Sequence, residues 1–469
     1  MSALARTSLG AVGAVGAWLA LAGASASGAD MISAAGGRTC ATRAGQVVCA
    51  GFDYSTRQHS RVPVPVAGIS DAKQVSVGRS ACAVLNSGGV ECWGDGNFGK
   101  LGNGSTEDSA TPVAVTGISS AVSVTVGRFH ACAALASGVV ECWGLNFNGA
   151  LGNGSSIPFS TVPVQVAGIN DALTVSTNDH FDETCALLST GGVDCWGAGG
   201  AGQLGNGASR DSSTPVPVSG VHEATAVAAG GSHACAVLAL GRLVCWGDGE
   251  ATPRPVAIPP VSSVSVALGE ICAVLSDGEA RCWGDNKRGQ NGSGRVGRET
   301  ERPHVVQGIH DAVSISAAVF HNCVQLAAGG AACWGYNDYG DLGANLPPGV
   351  YPTPQDVVFG PLAPVGGEPP RAGSAPMAAG KPGPSKATPK GSGPEPQALP
   401  GPLPEPEDAA EEQGAQGPPA PSTPPPPLCG VPGQPPCTAQ GAGSEIEATS
   451  QQLARGPRQR AERRRAGRG

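Results

Sequence analysis

Residues 78–104 read GRSACAVLNSGGVECWGDGNFGKLGNG. Two short apolar runs flank Asn86-Ser87-Gly88, and each run carries one cysteine, Cys82 and Cys92. Trp93-Gly94 follows the second cysteine, and a Gly/Asn-rich stretch closes the segment. Small and β-branched residues on either side of an Asn-Ser-Gly turn predict a β-hairpin followed by a loop. The same unit returns from residue 127 as GRFHACAALASGVVECWGLNFNGALGNG. Such recurrence decides the architecture, because one copy can bury its apolar face only against the next.

Counting outward from this segment, the cysteines fall in pairs. They are Cys40 and Cys49, Cys82 and Cys92, Cys132 and Cys142, Cys185 and Cys195, Cys235 and Cys245, Cys272 and Cys282, and Cys323 and Cys333. Trp-Gly follows the second cysteine at Trp93, Trp143, Trp196, Trp246, Trp283 and Trp334; the first unit has Ala50-Gly51 instead. A Pro-Val stretch such as TPVAVTGI precedes Ser119, and an alternating segment such as AVSVTVG precedes Arg128. Each unit therefore offers four short strands, and four strands per 40-to-50-residue repeat is the signature of a propeller blade.

The pattern GxxHxCAL…Gx(V/L)xCWGxNxxGxLGNG…PVxVxGI resembles the regulator of chromosome condensation repeat family, over about Met31 to Gly360. The resemblance implies a seven-bladed β-propeller. It implies no single activity, because this propeller hosts a nuclear guanine-nucleotide exchange factor and a secreted bacterial β-lactamase inhibitory protein. Unit one lacks both the tryptophan and the GxLGNG stretch, and unit five shrinks to DGEATPRPV after Trp246-Gly247. The expected fold is all-β: a seven-bladed β-propeller of four-stranded antiparallel blades over residues 29–362, then a disordered Pro-rich tail over 363–469. The sequence leaves open whether the two ends of the propeller interlock within one blade.

Composition agrees with many turns, small packed blades and a low-complexity tail: 72 Gly, 41 Pro, and only 14% charged and 4% aromatic residues. A net charge of −8 argues against a nucleic-acid-binding surface. Residues 1–28 read as a signal peptide, with Arg6 as a positive start, an apolar run from Leu9 to Leu21, and Ala24-Ser25-Ala26 as a cleavage site. That run is too short to span a bilayer, which takes ~20 residues, so no transmembrane anchor is expected. From about Pro361 the chain turns to Pro, Gly, Ala and Ser, holds Cys429 and Cys437, and ends in seven arginines between Arg455 and Arg468. Such a composition cannot bury a core.

In an exported chain, closely spaced cysteines form disulfides. If Cys82 faces Cys92 across the hairpin, Val84 faces Val90 and the turn falls on Asn86-Ser87-Gly88. Directly opposed non-hydrogen-bonded residues lie ~4.5 Å apart at Cα, within reach of a disulfide. All seven pairs are expected to bridge within their own blade. No pair in the repeats has the C-x2-4-C spacing of a zinc site, and neither a metal nor a cofactor is expected.

Three residue groups are candidates for chemistry. His130, His233 and His321 stand two residues before the first cysteine of their units, where the others carry Arg38, Ser80, Glu183 and Glu270. The resemblance implies a structural histidine bonded to a neighbouring strand. Glu91, Glu141 and Asp194 precede the second cysteine, and the expectation is one acid per blade paired with a neighbouring arginine or backbone group. The Gly-Asn stretches lack the GK(S/T) and following helix of a phosphate loop and read as turns. No nucleophile elbow or catalytic triad signature occurs, so the chain is expected not to be an enzyme.

Irregular loops on a rigid scaffold are where binding residues concentrate. The unit-four loop is longer than its equivalents and carries His180, Phe181 and Asp182, the expected binding site for a protein or polysaccharide partner. The functional expectation is an exported, monomeric, non-enzymatic binding module in the extracellular space, periplasm or cell envelope. The alternatives are a guanine-nucleotide exchange factor acting on a small GTPase, by family analogy, and an envelope-polymer hydrolase or lyase.

Overall fold

The computed structural model describes residues 31–177, 182–298 and 300–360. All belong to the first of two compact units, Met1–Gly373. Among them are seven four-stranded antiparallel sheets, each with its strands in chain order. In blade 2 the strands are Ala72–Val77, Ser80–Leu85, Val90–Gly94 and Ser109–Ala114. The first strand of every blade lines a central channel and the fourth lies outermost. Blade 1 runs from Met31–Ala35 to Gln58–Pro65, and blade 7 from Ala312–Ala317 to Val350–Asp356. The ends therefore do not share a blade. Among the described residues no helix is long and apolar enough to cross a membrane.

The hairpin register is the one that the cysteine spacing requires. Cys82 faces Cys92 and Val84 faces Val90. Gly88, at φ 85°, supplies the left-handed residue of the turn, and its amide donates to Leu85 O at 2.9 Å. All seven cysteine pairs are disulfides between the second and third strands of one blade. Cys40 is bonded to Cys49, Cys82 to Cys92, Cys132 to Cys142 and Cys185 to Cys195. Cys235 is bonded to Cys245, Cys272 to Cys282 and Cys323 to Cys333. The Cα atoms of each pair lie 4.0–4.1 Å apart. The two partners are not equally enclosed: Cys49 and Cys245 are only partly buried, whereas Cys142, Cys195 and Cys333 are fully enclosed. Each bridge closes a short loop and contributes roughly 2–3 kcal/mol by restricting the unfolded chain.

Blades are joined around the channel by hydroxyl groups. Ser33, Ser76, Thr125, Ser176, Ser265 and Ser316 occupy one position of the innermost strand, and each side-chain oxygen accepts an amide hydrogen. The donors are Val77, Val126, Thr177, Ala229, Ala317 and Ala34, at 2.9–3.2 Å. Each donor belongs to the next blade, and the bond from Ala34 to Ser316 closes the ring between blades 1 and 7. Blade 5 has Ala228 at this position, which has no hydroxyl to offer. The serine in the alternating segment is thus a lateral fastener that satisfies a polar amide beside the channel.

The cores lie between blades. One cluster joins Val84 and Leu101 of blade 2 to Val124, Val126 and Trp143 of blade 3. The tryptophan of one blade slides beneath the Gly/Asn-rich loop of the blade before it. Trp143 Nε1 donates to Lys100 O at 2.8 Å, Trp196 Nε1 to Ala150 O at 2.9 Å, and Trp246 Nε1 to Gln203 O at 2.6 Å; Trp334 repeats the bond with Gln290 O. The loop leucines Leu101, Leu151, Leu204 and Leu342 are completely buried. Gly152 shows why the loop needs glycine: its φ is +65°, and an added Cβ would stand 2.6 Å from Trp196 Nε1.

Candidate functional site

Antiparallel order puts two connections of every blade at the same end: the turn between the first and second strands, and the link between the third and outermost strands. The chain has 8 Phe and 4 Tyr. Phe52, Tyr54, Phe98, Phe129, Phe147, Phe159, Phe320, Tyr336, Tyr339 and Tyr351 all fall at this end. Among the described residues only Phe359 lies at the other, beside Arg43. A chain with so few aromatics has gathered them on one loop face.

Two patches stand out. On blades 2 and 3, Phe98 meets Phe129 and Phe159 edge-on, with centroids 6.5 and 6.4 Å apart. Phe98, Phe147 and Phe159 remain 43%, 63% and 39% exposed. The guanidinium of Arg128 lies 5.1 Å from the Phe129 ring, within cation–π range. Phe98 also sits at φ 61°, uncommon for a bulky residue and costly by roughly 1–3 kcal/mol. On blade 7, Phe320 and Tyr336 pack at 6.1 Å, with the Arg288 guanidinium, from blade 6, 4.1 and 4.4 Å from their rings.

The blade 2 loop that carries Phe98 is anchored by buried charge, and the blade 3 loop that carries Phe147 by the buried amide of Asn146, which donates to Ser155 O and Ile157 O. Lys100 is 2% exposed and its Nζ lies 2.5 Å from Asp95 Oδ2. Burial pushes the Lys100 ammonium below its ordinary range against the pull of Asp95. Burial also works to raise the Asp95 carboxyl, but Lys100 and the Asn97 bonds outweigh it and hold the acid below its usual value. The pair fixes the loop beneath Phe98, so the exposed ring rests on a rigid base.

Of the residues expected to bind, His180 and Phe181 lie outside the described residues. Asp182 lies on the loop face, just before the second strand of blade 4, Glu183–Leu188, and is buried. Burial raises its carboxyl to about 6; Arg128 draws it down and Asp211 pushes it up. Glu183 beside it is wholly enclosed, its carboxyl is pushed well above the ordinary range by burial, and its Oε2 has no hydrogen-bond partner among the described residues.

The histidine position is structural in two of its three cases. His130 Nε2 bonds Thr184 Oγ1 at 2.8 Å and His321 Nε2 bonds Thr39 Oγ1 at 2.9 Å, each reaching the residue just before the first cysteine of the next blade. Glu270 follows the same rule, accepting from Asn322 Nδ2 at 2.7 Å. His233 does not, because the next blade offers Ile271 there, and its ring turns to Asp248 at 3.8 Å. Which partner each residue finds depends on a neighbour in another unit, so the unit's own sequence carries no sign of it.

The acids before the second cysteine depart from expectation. Glu91, Glu141 and Asp194 make no ion pair among the described residues, and burial raises all three carboxyls. The charges that act on Glu91 and Asp194 are Asp71 and Asp171, which raise them further. Glu270 also stands beside the sulfurs of Cys272 and Cys282, but these are joined as a disulfide and are not thiolate ligands, so the trio offers one donor group.

Models of the regulator of chromosome condensation (RCC1) repeat match residues 87–134 and 190–237, and a second such model matches 224–251 and 271–290. A search of curated proteins finds no match. Among solved structures, Prp20p from Saccharomyces cerevisiae is similar at 18% identity and TM-score 0.59, over 67% of this chain and 86% of that one. Human WBSCR16 is similar at 19% identity and TM-score 0.58, over 64% and 85%. At these identities the likeness concerns the fold. The matched repeats, together with the ring of seven like blades that contains them, support the regulator of chromosome condensation repeat propeller family for this chain.

Proposed function

We propose that the protein is an exported, non-enzymatic propeller that binds a partner protein through its loop face, centred on Phe98, Phe147 and Phe159. The observation that carries this reading is the gathering of scarce aromatics, three of them well exposed, on loops pinned by the buried Lys100–Asp95 pair and by Asn146. Aromatic anchors flanked by arginine dominate interface energetics, and a rigid base limits the entropy lost on binding. Export is supported by seven disulfides, which persist in oxidising compartments, and by the leader-like reading of residues 1–28. The acids Glu91, Glu141 and Asp194 belong to three separate blades, which favours binding over catalysis.

Prp20p is described with binding properties to Gsp1p and histones. Nucleotide exchange is the alternative activity that this likeness brings, and a release assay on a small GTPase tests it directly. For the binding reading, the test is capture from culture supernatant and envelope fractions, with retained proteins and glycans identified. A specific protein should be held by the wild type and retained at least ~10-fold less by the double variant Phe98→Ala with Phe147→Ala, at unchanged melting temperature. Equal retention by the variant would overturn the loop-face assignment, and a retained polysaccharide would replace the partner class.

A further inference from the structure

Four tryptophan-bearing boundaries are sealed by a loop from the preceding blade. At the boundary of blades 2 and 3 the loop has four attachments. Trp143 Nε1 donates to Lys100 O at 2.8 Å, the Gly104 amide to Thr161 O at 2.9 Å, the Thr116 amide to Gly102 O at 2.9 Å, and Leu101 is fully buried. The second bond recurs from Gly154 to Ser213 O, from Gly207 to Ala251 O and from Gly294 to Pro352 O.

Unit one has no such loop. Its third strand, Gln46–Asp53, turns tightly into the outermost strand, Gln58–Pro65. At the boundary of blades 1 and 2 the counterparts of the three polar anchors are Trp93 Nε1–H, Ala67 N–H and Ala110 C=O. None of them is engaged by a loop among the described residues. All three residues line one groove of about 340 Å³, together with Val64, Val66 and Phe52. Trp93 is 3% exposed, so its indole is held by the blades, and it lines the groove. Unit five also lacks the loop, but there Val256 and Ile258 pack against the cluster that holds Trp283.

The geometry points to the blade 1–blade 2 groove as an acceptor site for a turn of a partner protein with the pattern X-Leu-Gly. The carbonyl of X accepts from Trp93 Nε1. The leucine enters the apolar space beside Val66, and the glycine lies against the indole, where at Gly102 a Cβ would stand 2.9 Å from Trp143 Nε1. The rest of the turn donates an amide to Ala110 O and accepts one from Ala67. The occupant's chemistry is displayed by the molecule itself at its sealed boundaries. The site extends the binding-module reading but uses none of the exposed loop-face phenylalanines, so the two fail separately.

The probe is a synthetic peptide, GNFGKLGNGS, which copies residues 96–105, titrated into the full chain and followed by calorimetry and tryptophan fluorescence. Saturable binding of one equivalent is expected, in the range of ~0.1–1 mM because a short peptide loses much freedom on docking. A peptide with Asp in place of its leucine should not bind. Trp93→Phe should weaken binding about five-fold, the size of one neutral hydrogen bond. Ala110→Trp, at an exposed position in the groove lining, should abolish binding at unchanged melting temperature, which keeps the test valid if Trp93→Phe disturbs the blade. The double variant Phe98→Ala with Phe147→Ala should bind the peptide as the wild type does. The proposal is overturned if there is no saturable binding, or if the affinity survives Ala110→Trp or the leucine substitution.

Discussion

The boundary between blades 2 and 3 and the boundary between blades 1 and 2 are built from the same strands and the same disulfide-linked hairpins. They differ in one loop. Where the loop is present, Leu101 is buried, Trp143 is completely enclosed, and its indole hydrogen is bonded. Where it is missing, Trp93 keeps its place and its burial by the hairpins, but it lines a groove instead of lying beneath a loop. Tryptophan burial is therefore secured by blade-to-blade packing, and the loop adds polar satisfaction and a plug. The repeat is two separable devices, a stacking hairpin and a sealing loop, and only the first is needed for the ring to close.

Breaking the sealed boundary at its centre gives the largest effect. Trp143→Ala should cost about 3–5 kcal/mol, since it removes a completely buried indole and leaves a cavity beneath Leu101. Chemical denaturation of the intact-disulfide protein measures it, and a cost under ~1 kcal/mol would show that the boundary collapses around the loss.

A slightly smaller effect comes from boundaries bridged by buried histidine. Burial lowers His130 and His321 to about 4, from an ordinary 6.5. The unfolded chain takes up these protons first as pH falls. Stability from the neutral buried rings is therefore present above pH ~6.5 and is lost between about 6.5 and 4, by about 3 kcal/mol for each histidine. Comparison of wild type with His130→Gln at pH 7 and pH 4 isolates the contribution, because Glu183 and Glu270, raised by burial, change stability in the opposite direction in both proteins. A difference independent of pH would sink this account.

The smallest effect sharpens the comparison most. Trp143→Phe should cost about 1–2 kcal/mol beyond Trp93→Phe, because only the former leaves a buried carbonyl, Lys100 O, without its donor. Denaturation of the two variants side by side measures the gap, and equal costs at the two boundaries would mean that the indole bond adds nothing to stability.

Much of this molecule was legible in one unit. The residues between Cys82 and Cys92 place Cys opposite Cys and Val opposite Val only if the turn lies at Asn86-Ser87-Gly88, and that register is the one found. The same spacing holds in the other blades, so Cys142, Cys195, Cys245 and Cys333 each meet the cysteine of their own hairpin, and Cys49 does so with one residue fewer. Alternation in AVSVTVG marks the innermost strand, though not that its serine or threonine would accept a hydrogen bond from the next blade. The expected arginine partners of Glu91 and Asp194 are missing among the described residues because the fold brings Asp71 and Asp171 beside them instead. Phe181, expected to bind, lies outside the described residues. Phe98 and Phe147 are aromatics of the same scarce kind, but their place inside a repeated loop conceals them in the sequence.

By itself the sequence determined the blade count, the strand order within each blade, the hairpin register and the disulfide pairing. These depend on contacts between residues about ten positions apart and on the two-residue period of a strand, both of which a linear chain displays. Tertiary structure alone decided that an indole meets a carbonyl from the preceding unit, and that hydroxyls fasten neighbouring blades. It also decided that the aromatics share one face, and that the loss of one loop opens a groove lined by Trp93 and Ala110. Each of these joins groups roughly forty to fifty residues apart, or the two ends of the propeller. Their meeting is set by how one twisted sheet stacks on the next, and no local pattern encodes that stacking.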